Sequence, residues 1–557
     1  MNDECTKHYM GTKHPVGAKH PVSAAVFSDN CVLQRERNVL IFGDSESNTE
    51  IKVILKDKNE QILAQNTGKS DKNGHWEVQI PPQKAQNDCK LILSYVENEN
   101  IDEENCTIFK NVAIGEVWLA GGQSNMEFEL QNCTEKAELA DEKAGEQVRF
   151  FYTNKNGYKD SAFYEQEKNS HWETWQSSEK GRWSAVGYFF AKKLAKELGV
   201  TVGVIGCNWG GTSASVWTAR EYMEKDDDLR TYLSEYDEAV KDKSIEAQCK
   251  EYDDYVAYHE KWESGYQKLL QENPFISWDE AGEKLGKCQW PGPKSCKNPY
   301  RPSGLYDCML SRVAPYTIKG VIWYQGENDA DRAKMYHKLF SAMIDNWRTD
   351  FKNTALPFIF AQLPVHRYFN DKDQKDWCYL RQSQQKVFDS VKNAYMACIL
   401  DQGEYNDIHP KAKKTVAERM ANIAASEVYG IEKGEVFSPF LKDSLALTDR
   451  IELTFSHASD GFVFREDKER LAQYIEMEKV QGNTVSENES FTGFEIAGED
   501  GVFYSAKADF GQGDKKNTIT LSSPLVPYPK HARYAFYNYG PVTVFSKNGL
   551  PLAPFAI

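Results

Sequence analysis

Five apolar runs recur between Val112 and Leu400: VAIGEVWLA, VTVGVIGCN, IKGVIWY, FIFAQLP and YMACIL. A helix-compatible segment follows each one. The clearest is VGYFFAKKLAKELG, whose apolar residues fall at three- and four-residue steps and stop at Gly199. Runs this apolar have no polar face to give to water, so they must be buried on both sides. Strands of that kind alternating with helices predict an α/β unit with a parallel sheet covered on both faces. The pattern extends over residues 111–436. An acidic, Tyr-rich insertion at about 225–300 interrupts it, helical in part and loop-like at KCQWPGPKSCKNPYRPSG. That insertion is placed beside the active-site edge.

The flanks read differently. Residues 23–110 carry VLIFGD, IKVILKD, HWEVQIPP and KLILSYV, with DKNG as a hairpin signal before His75, which predicts a β-sandwich. Residues 437–557 return to short strands (RIELTFSH, GFVFRE, NTITLSS, ARYAFYNY, VTVFSK) and predict a second β-domain. Both flanks are expected to be sandwich- or jelly-roll-like. Residues 1–22, with the repeat in KHPVGAKHPV, are expected to form a flexible arm. Three parts agree with a chain of 557 residues, which is longer than one hydrophobic core serves.

Net charge narrows the partners. At −16 the chain lacks the cationic surface that grips nucleic acid or anionic membranes. Residues 1–22 hold no apolar signal core, and no run reaches the roughly 20 apolar residues of a membrane span. The twelve cysteines show neither CxxC nor Cys/His spacing suited to zinc, so no metal or other cofactor is expected. Free thiols and a cytoplasmic location are expected instead. Nothing in the sequence reads out oligomeric state.

The candidate chemistry lies at the strand ends. After VAIGEVWLA comes GGQSNMEF, where small residues carry Ser124 out of a strand and into a turn. It is not the G-x-S-x-G elbow, because Met126 occupies the fifth position. Gly210 and Gly211 follow the second run, Gln325 to Asp329 follow the third, and His409 stands before Pro410 and a helix. Ligands of open α/β sheets bind beyond the carboxyl ends of the strands, so these segments should converge. They supply a nucleophile, oxyanion donors and a base, the components of acyl transfer.

The blocks GQSNME, WGGTSASVW, WYQGE and DIHP, in this order, resemble those of sialate O-acetylesterases, carbohydrate esterases of the SGNH-hydrolase superfamily. FSDNCVLQR, PSGLYDCML, GFEIAGEDGVFYSAKA and RYAFYNYGP…NGLPLAPF are similar to that family as well, so the resemblance covers nearly all of residues 23–557. It implies a three-layer α/β/α SGNH-hydrolase-like domain in which Ser124 attacks an acetyl carbonyl with His409 as base. It also implies an oxyanion hole of the Ser124 N–H, Gly210 or Gly211, and a third-block side chain. Gln325 is the first choice for that side chain, and Asn328, from the spelling G-E-N-D, is the second.

The superfamily's D-x-x-H is not met, because Asn406 lies three residues before His409. Asp407, two before it, is expected to orient the imidazole, with a backbone carbonyl as the alternative. Asp401 and Glu404 are weaker candidates. Gln123, Glu327, Trp209 and Arg381 are placed at the substrate. Glu327 is read either as a carboxylate of the site or as a buried group shaping the Gln325 loop. Trp209, with Trp217, Trp323 and Tyr324, is read as a sugar-stacking wall or as core. Arg381 is read as a bidentate partner for a substrate carboxylate or as one half of a helix-surface ion pair. The implied substrate is an O-acetylated sialic acid, with acetylated xylan or mannan oligosaccharides as the alternative. A non-catalytic carbohydrate-binding protein and a metal-dependent deacetylase are the readings from other classes.

Overall fold

The computed structural model describes residues 20–96, 105–273, 276, 278–482 and 491–557. The arm expected over 1–22 lies outside the described residues as far as residue 19. The apolar runs form one sheet, built from β1 (Cys106–Gly122), β2 (Val148–Tyr152), β3 (Trp172–Thr174), β4 (Val202–Asn208), β5 (Gly320–Tyr324), β6 (Phe358–Gln362) and β7 (Ala394–Cys398). Their order across the sheet is β3-β2-β4-β1-β5-β6-β7. All neighbours pair in parallel except β3, an antiparallel edge strand on β2. Every residue of β4, β5 and β6 is buried, as runs without a polar face require.

Six helices position the site and its surroundings: α1 (Ser124–Glu127), α2 (Ala185–Leu198), α3 (Ile245–Glu272), α4 (Ala333–Asp350), α5 (Asp376–Ser390) and α6 (Lys414–Ile423). α2 packs with α6, and α4 packs with α5, as two separate pairs on the sheet. The limits of α2 have local causes. Ser184 Oγ accepts from the Gly187 N–H at 3.0 Å, and the helix closes on Gly199 at φ 66°, a conformation that costs glycine little. No helix among the described residues is long and apolar enough to cross a membrane.

β1 reaches beyond the α/β unit. Its first half pairs antiparallel with Gln86–Tyr95, and Val32–Gln34 lies parallel to Ala113–Gly115. The boundary at 110/111 therefore falls inside one continuous strand. FSDNCVLQR supplies the clasp: Gln34 Oε1 accepts from the Val117 N–H at 2.9 Å, and Arg35 Nε pairs with Glu116 at 2.5 Å. The other N-terminal strands include a three-stranded sheet, and two four-stranded sheets and a two-stranded one follow residue 437. The whole is a mixed α/β molecule about a central sheet. Its chain order reverses around β1, so the carboxyl ends of β4, β1 and β5 open a crevice there.

Candidate active site

Gly121 and Gly122 end β1 beside Trp323 and Tyr324 of β5, their register partners. A Cβ on Gly122 would lie 2.1 Å from the Tyr324 carbonyl oxygen, and its φ is 140°. Only glycine brings the strands this close, and α1 then starts at once with Ser124. Gly210 follows β4, where an added Cβ would stand 3.3 Å from the Ser124 Cβ. His409 arrives on the loop before α6, and its Nε2 lies 2.8 Å from Ser124 Oγ across 285 residues of sequence. Both residues are half-buried. Burial and the Lys413 ammonium hold the His409 pKa below the ordinary histidine value, while Asp407 and Glu127 oppose them. A neutral imidazole in contact with a hydroxyl can take its proton.

The expected orienter does something else. Asp407 Oδ1 accepts from the His409 backbone N–H at 2.8 Å, and no carboxylate hydrogen-bonds the ring among the described residues. The spacing explains this. An Asp two residues before a peptide N–H closes an Asx turn onto it, whereas a third residue would be needed to carry the carboxylate toward the ring. Asp407 thus fixes the loop and adds negative charge near the imidazole. Asp401 is taken by Arg419 through two contacts at 2.6 and 2.8 Å, and Glu404 accepts from the Lys411 N–H at 2.7 Å. His366, which the sequence reading passed over, is buried near Asp407 and His409. Burial lowers its pKa to about 4.

The third block also departs from expectation. Gln325 is 0% exposed, and its Nε2 donates to the Thr212 carbonyl at 3.1 Å and to Asp329 at 2.6 Å. Its Oε1 accepts from the Tyr336 hydroxyl at 2.9 Å. An amide so fully engaged positions loops and has no N–H left for an oxyanion. Asn328 is exposed, and its side chain takes no partner among the described residues. Gln123 is buried, with Oε1 accepting from the Gly326 and Asn328 N–H groups at 3.4 and 3.2 Å. It holds the third block in place, away from the substrate position assigned to it.

Four more assignments resolve in physical terms. Glu327 is buried, and its Oε1 accepts from Asn125 Nδ2 at 2.6 Å, the loop-shaping alternative. Arg381 is 1% exposed inside α5, with Nη2 on the Tyr537 carbonyl at 2.5 Å. That places it against the C-terminal segment, serving neither a substrate carboxylate nor a surface ion pair. Trp217, Trp323 and Tyr324 are core residues, and Trp209 packs half-buried against the same core. Gly210 donates its N–H to Glu127 Oε2 at 2.6 Å, and Lys155 pairs with the other oxygen of that carboxylate. The N–H groups of Ser124 and Gly211 have no acceptor among the described residues.

Sequence reasoning missed Glu127, Asn125 and Lys413. The first two sit inside GQSNME, within reach of any scan of the nucleophile block. Lys413 lies four residues past His409, a spacing that puts it at the start of the following helix. Among the described residues, no group of three His, Cys, Asp or Glu side chains is arranged as metal ligands.

Comparison with known proteins agrees with the block order. The family described as "Carbohydrate esterase, sialic acid-specific acetylesterase" matches residues 114–251 and 280–426. Sialate O-acetylesterase of Rattus norvegicus is 27% identical over 455 residues, which is 77% of this chain and 77% of that protein. The Homo sapiens protein of the same name is 24% identical over 448 residues, 76% and 74% of the two chains. Among solved structures, a carbohydrate acetylesterase from Xanthomonas citri is similar, with a TM-score of 0.68 and 25% identity. The match covers 96% of this chain and 99% of that one.

Proposed function

Because this chain belongs to the sialic acid-specific acetylesterase family of carbohydrate esterases, and is on that ground a carboxylic ester hydrolase, we propose that it removes O-acetyl groups from carbohydrates with Ser124 as nucleophile. The observation that carries this reading is the 2.8 Å approach of His409 Nε2 to Ser124 Oγ. In the first step Oγ attacks the acetyl carbonyl carbon while its proton passes to His409 Nε2. The tetrahedral oxyanion is met by the Ser124 and Gly211 N–H groups and by the Asn328 amide. Collapse expels the sugar alkoxide, which takes the proton from His409 and leaves acetyl-Ser124. Water then attacks the acetyl group, giving its proton to the same imidazole, and acetate departs as Oγ is reprotonated. Each preorganised oxyanion donor contributes roughly 10²–10³ in rate to such a step.

In this reading the centre is a Ser–His pair, with Asp407 acting through the loop and through its charge. The central unit is read as SGNH-type and the flanking sheets as sandwich- or jelly-roll-like domains. O-acetylated sialic acid is the substrate class suggested by the names of the curated relatives. Acetylated neutral oligosaccharides are a second reading. The burial of Arg381 favours it, because that side chain is withdrawn from the role of gripping a sialic acid carboxylate.

The test of the reaction is Ser124→Ala, assayed by acetate release from p-nitrophenyl acetate. Turnover is expected to vanish while the circular dichroism spectrum stays that of the parent. Undiminished turnover in that variant defeats the mechanism. The ratio of kcat/KM for 9-O-acetylated sialic acid to that for acetylated xylo-oligosaccharides decides between the two substrate classes.

A further inference from the structure

The insertion brings an aromatic wall up to the nucleophile. Trp290 is 52% exposed, unusual for so large an apolar side chain. An edge of its ring lies 3.2 Å from where a Gly211 Cβ would stand. It packs edge-on to Tyr300 at 4.8 Å between centroids, and the Tyr300 hydroxyl donates to the Gly210 carbonyl at 3.3 Å. From Ser124 the surface therefore runs through Gly210 and Gly211 directly onto Trp290. Beyond that ring the same side chain lines a cleft of about 820 Å³, together with Tyr255, Tyr258, Glu251, Asp254 and Lys287.

Three properties of this cleft suit one class of ligand. Its aromatic faces match the apolar C–H face of a pyranose ring. Its Tyr255 is 9% exposed, with a hydroxyl that finds no hydrogen-bond partner among the described residues, and a buried orphan of that kind is costly unless a ligand or water satisfies it. Among the described residues its carboxylates, Glu251 and Asp254, pair with the exposed lysines Lys243 and Lys250, and surface pairs of that kind yield readily to sugar hydroxyls. Glu251 and Asp254 are hydrogen-bond acceptors, which sugar hydroxyls can satisfy and a sugar carboxylate cannot.

We propose that this cleft of the insertion is a glycan subsite, in which a neutral pyranose unit stacks on Trp290 and bonds to Tyr255, Glu251 and Asp254 while a neighbouring O-acetylated unit reaches Ser124. This rests on the esterase reading above and narrows its substrate to acetylated neutral oligosaccharides. The segment carrying Trp290 is held for such a role. Ser295 Oγ donates to the Gln248 carbonyl of α3 at 2.8 Å, the Cys296 N–H donates to Gln248 Oε1 at 2.9 Å, and Lys297 pairs with Asp253 at 2.6 Å.

The experiment compares parent, Trp290→Ala, Trp290→Phe and Tyr255→Phe as full-length chains, with acetylated xylotetraose, 9-O-acetylated sialic acid and p-nitrophenyl acetate as substrates. For Trp290→Ala, the ratio of kcat/KM on acetylated xylotetraose to that on p-nitrophenyl acetate is expected to fall about tenfold through KM. Trp290→Phe should restore part of it, and Tyr255→Phe should lower it less. An unchanged ratio in Trp290→Ala overturns the proposal, as does a loss confined to the sialic acid substrate. Titration calorimetry of plain xylotetraose on Ser124→Ala, with and without Trp290→Ala, reads the subsite without chemistry. Weaker binding in the double variant supports the subsite, and equal binding overturns it. A parent inert toward p-nitrophenyl acetate defeats the esterase reading, and calorimetry still decides the subsite.

Discussion

His409 works among charges of both signs. Burial and Lys413 depress its pKa, and Asp407 and Glu127 raise it. Of these, Glu127 is the one that can be neutralised without touching the loop that carries the imidazole. Glu127→Gln removes a negative charge near the ring and leaves Lys155 uncompensated, and both changes disfavour the imidazolium. The His409 pKa should fall further, so the acid limb of kcat/KM on p-nitrophenyl acetate should move to lower pH. A limb that stays in place or moves upward would mean that Glu127 does not couple to the base. At this scale the sequence was a partial guide. Ser124 and His409 could be named because few residue types do their chemistry, and the structure does bring those two together. The resemblance ranks Gln325 ahead of Asn328, and the structure does not keep that order: both are amides, and only burial and partners distinguish a spent one from a free one. Arg381 misled for a similar reason, as an arginine in a helix looks the same in sequence whether it faces solvent or a second layer of protein.

The elements converge through a buried polar clamp. Asn125 of α1 donates to Glu327 after β5 at 2.6 Å and to the Ile408 carbonyl at 2.9 Å, and it accepts from Lys413 Nζ at 2.6 Å. One side chain thus ties the nucleophile turn to the third block and to the base loop. Burial pushes the Glu327 carboxyl up and lowers the Lys413 pKa to about 8, while each attracts the other in its charged form. Asn125→Ala strands both groups. Leaving a buried partner unsatisfied costs about 1–3 kcal/mol, so the urea midpoint should drop, and kcat should drop with it as Ser124 and His409 lose their registration. A variant with the parent's midpoint would show that the clamp carries no such energy. The strands themselves were legible, because apolar runs with no polar face admit one placement. β2 and β3 were passed over. Both are short, and β3 is an edge strand that the parallel pattern does not predict. The clamp was illegible because nothing in one sequence says that Asn125 and Lys413 are neighbours.

At the scale of the whole molecule, the segment after residue 437 is bonded to the loops that follow β6 and β7 at the carboxyl ends of the central sheet. The Asn538 carbonyl accepts from the His366 N–H at 2.7 Å, and its side-chain oxygen accepts from the Trp377 N–H near the start of α5 at 3.2 Å. Arg470 Nη2 donates to the carbonyls of Asp401 and Gly403, both at 2.9 Å. These contacts land on the loops flanking His366 and His409, so the helix Lys468–Val480, which carries Arg470, and the turn at Asn538 brace the base loop. A further tie is Arg367, which is buried and paired with Glu478 at 2.6 Å, with Asp373 3.7 Å from the same nitrogen. Removing one partner of a buried pair costs about 3–5 kcal/mol. Asp373 remains to offset part of that loss, which places Glu478→Gln at the lower end, about 3 kcal/mol. Chains of several domains need not unfold in one step, so the loss should show as an earlier first transition on heating rather than as a shift of the whole curve. Glu478 touches neither Ser124 nor His409, so kcat on p-nitrophenyl acetate at 25 °C should match the parent's. A first transition at the parent's temperature would mean that the C-terminal segment is held by apolar packing, with the Arg367 pair contributing nothing to the joint.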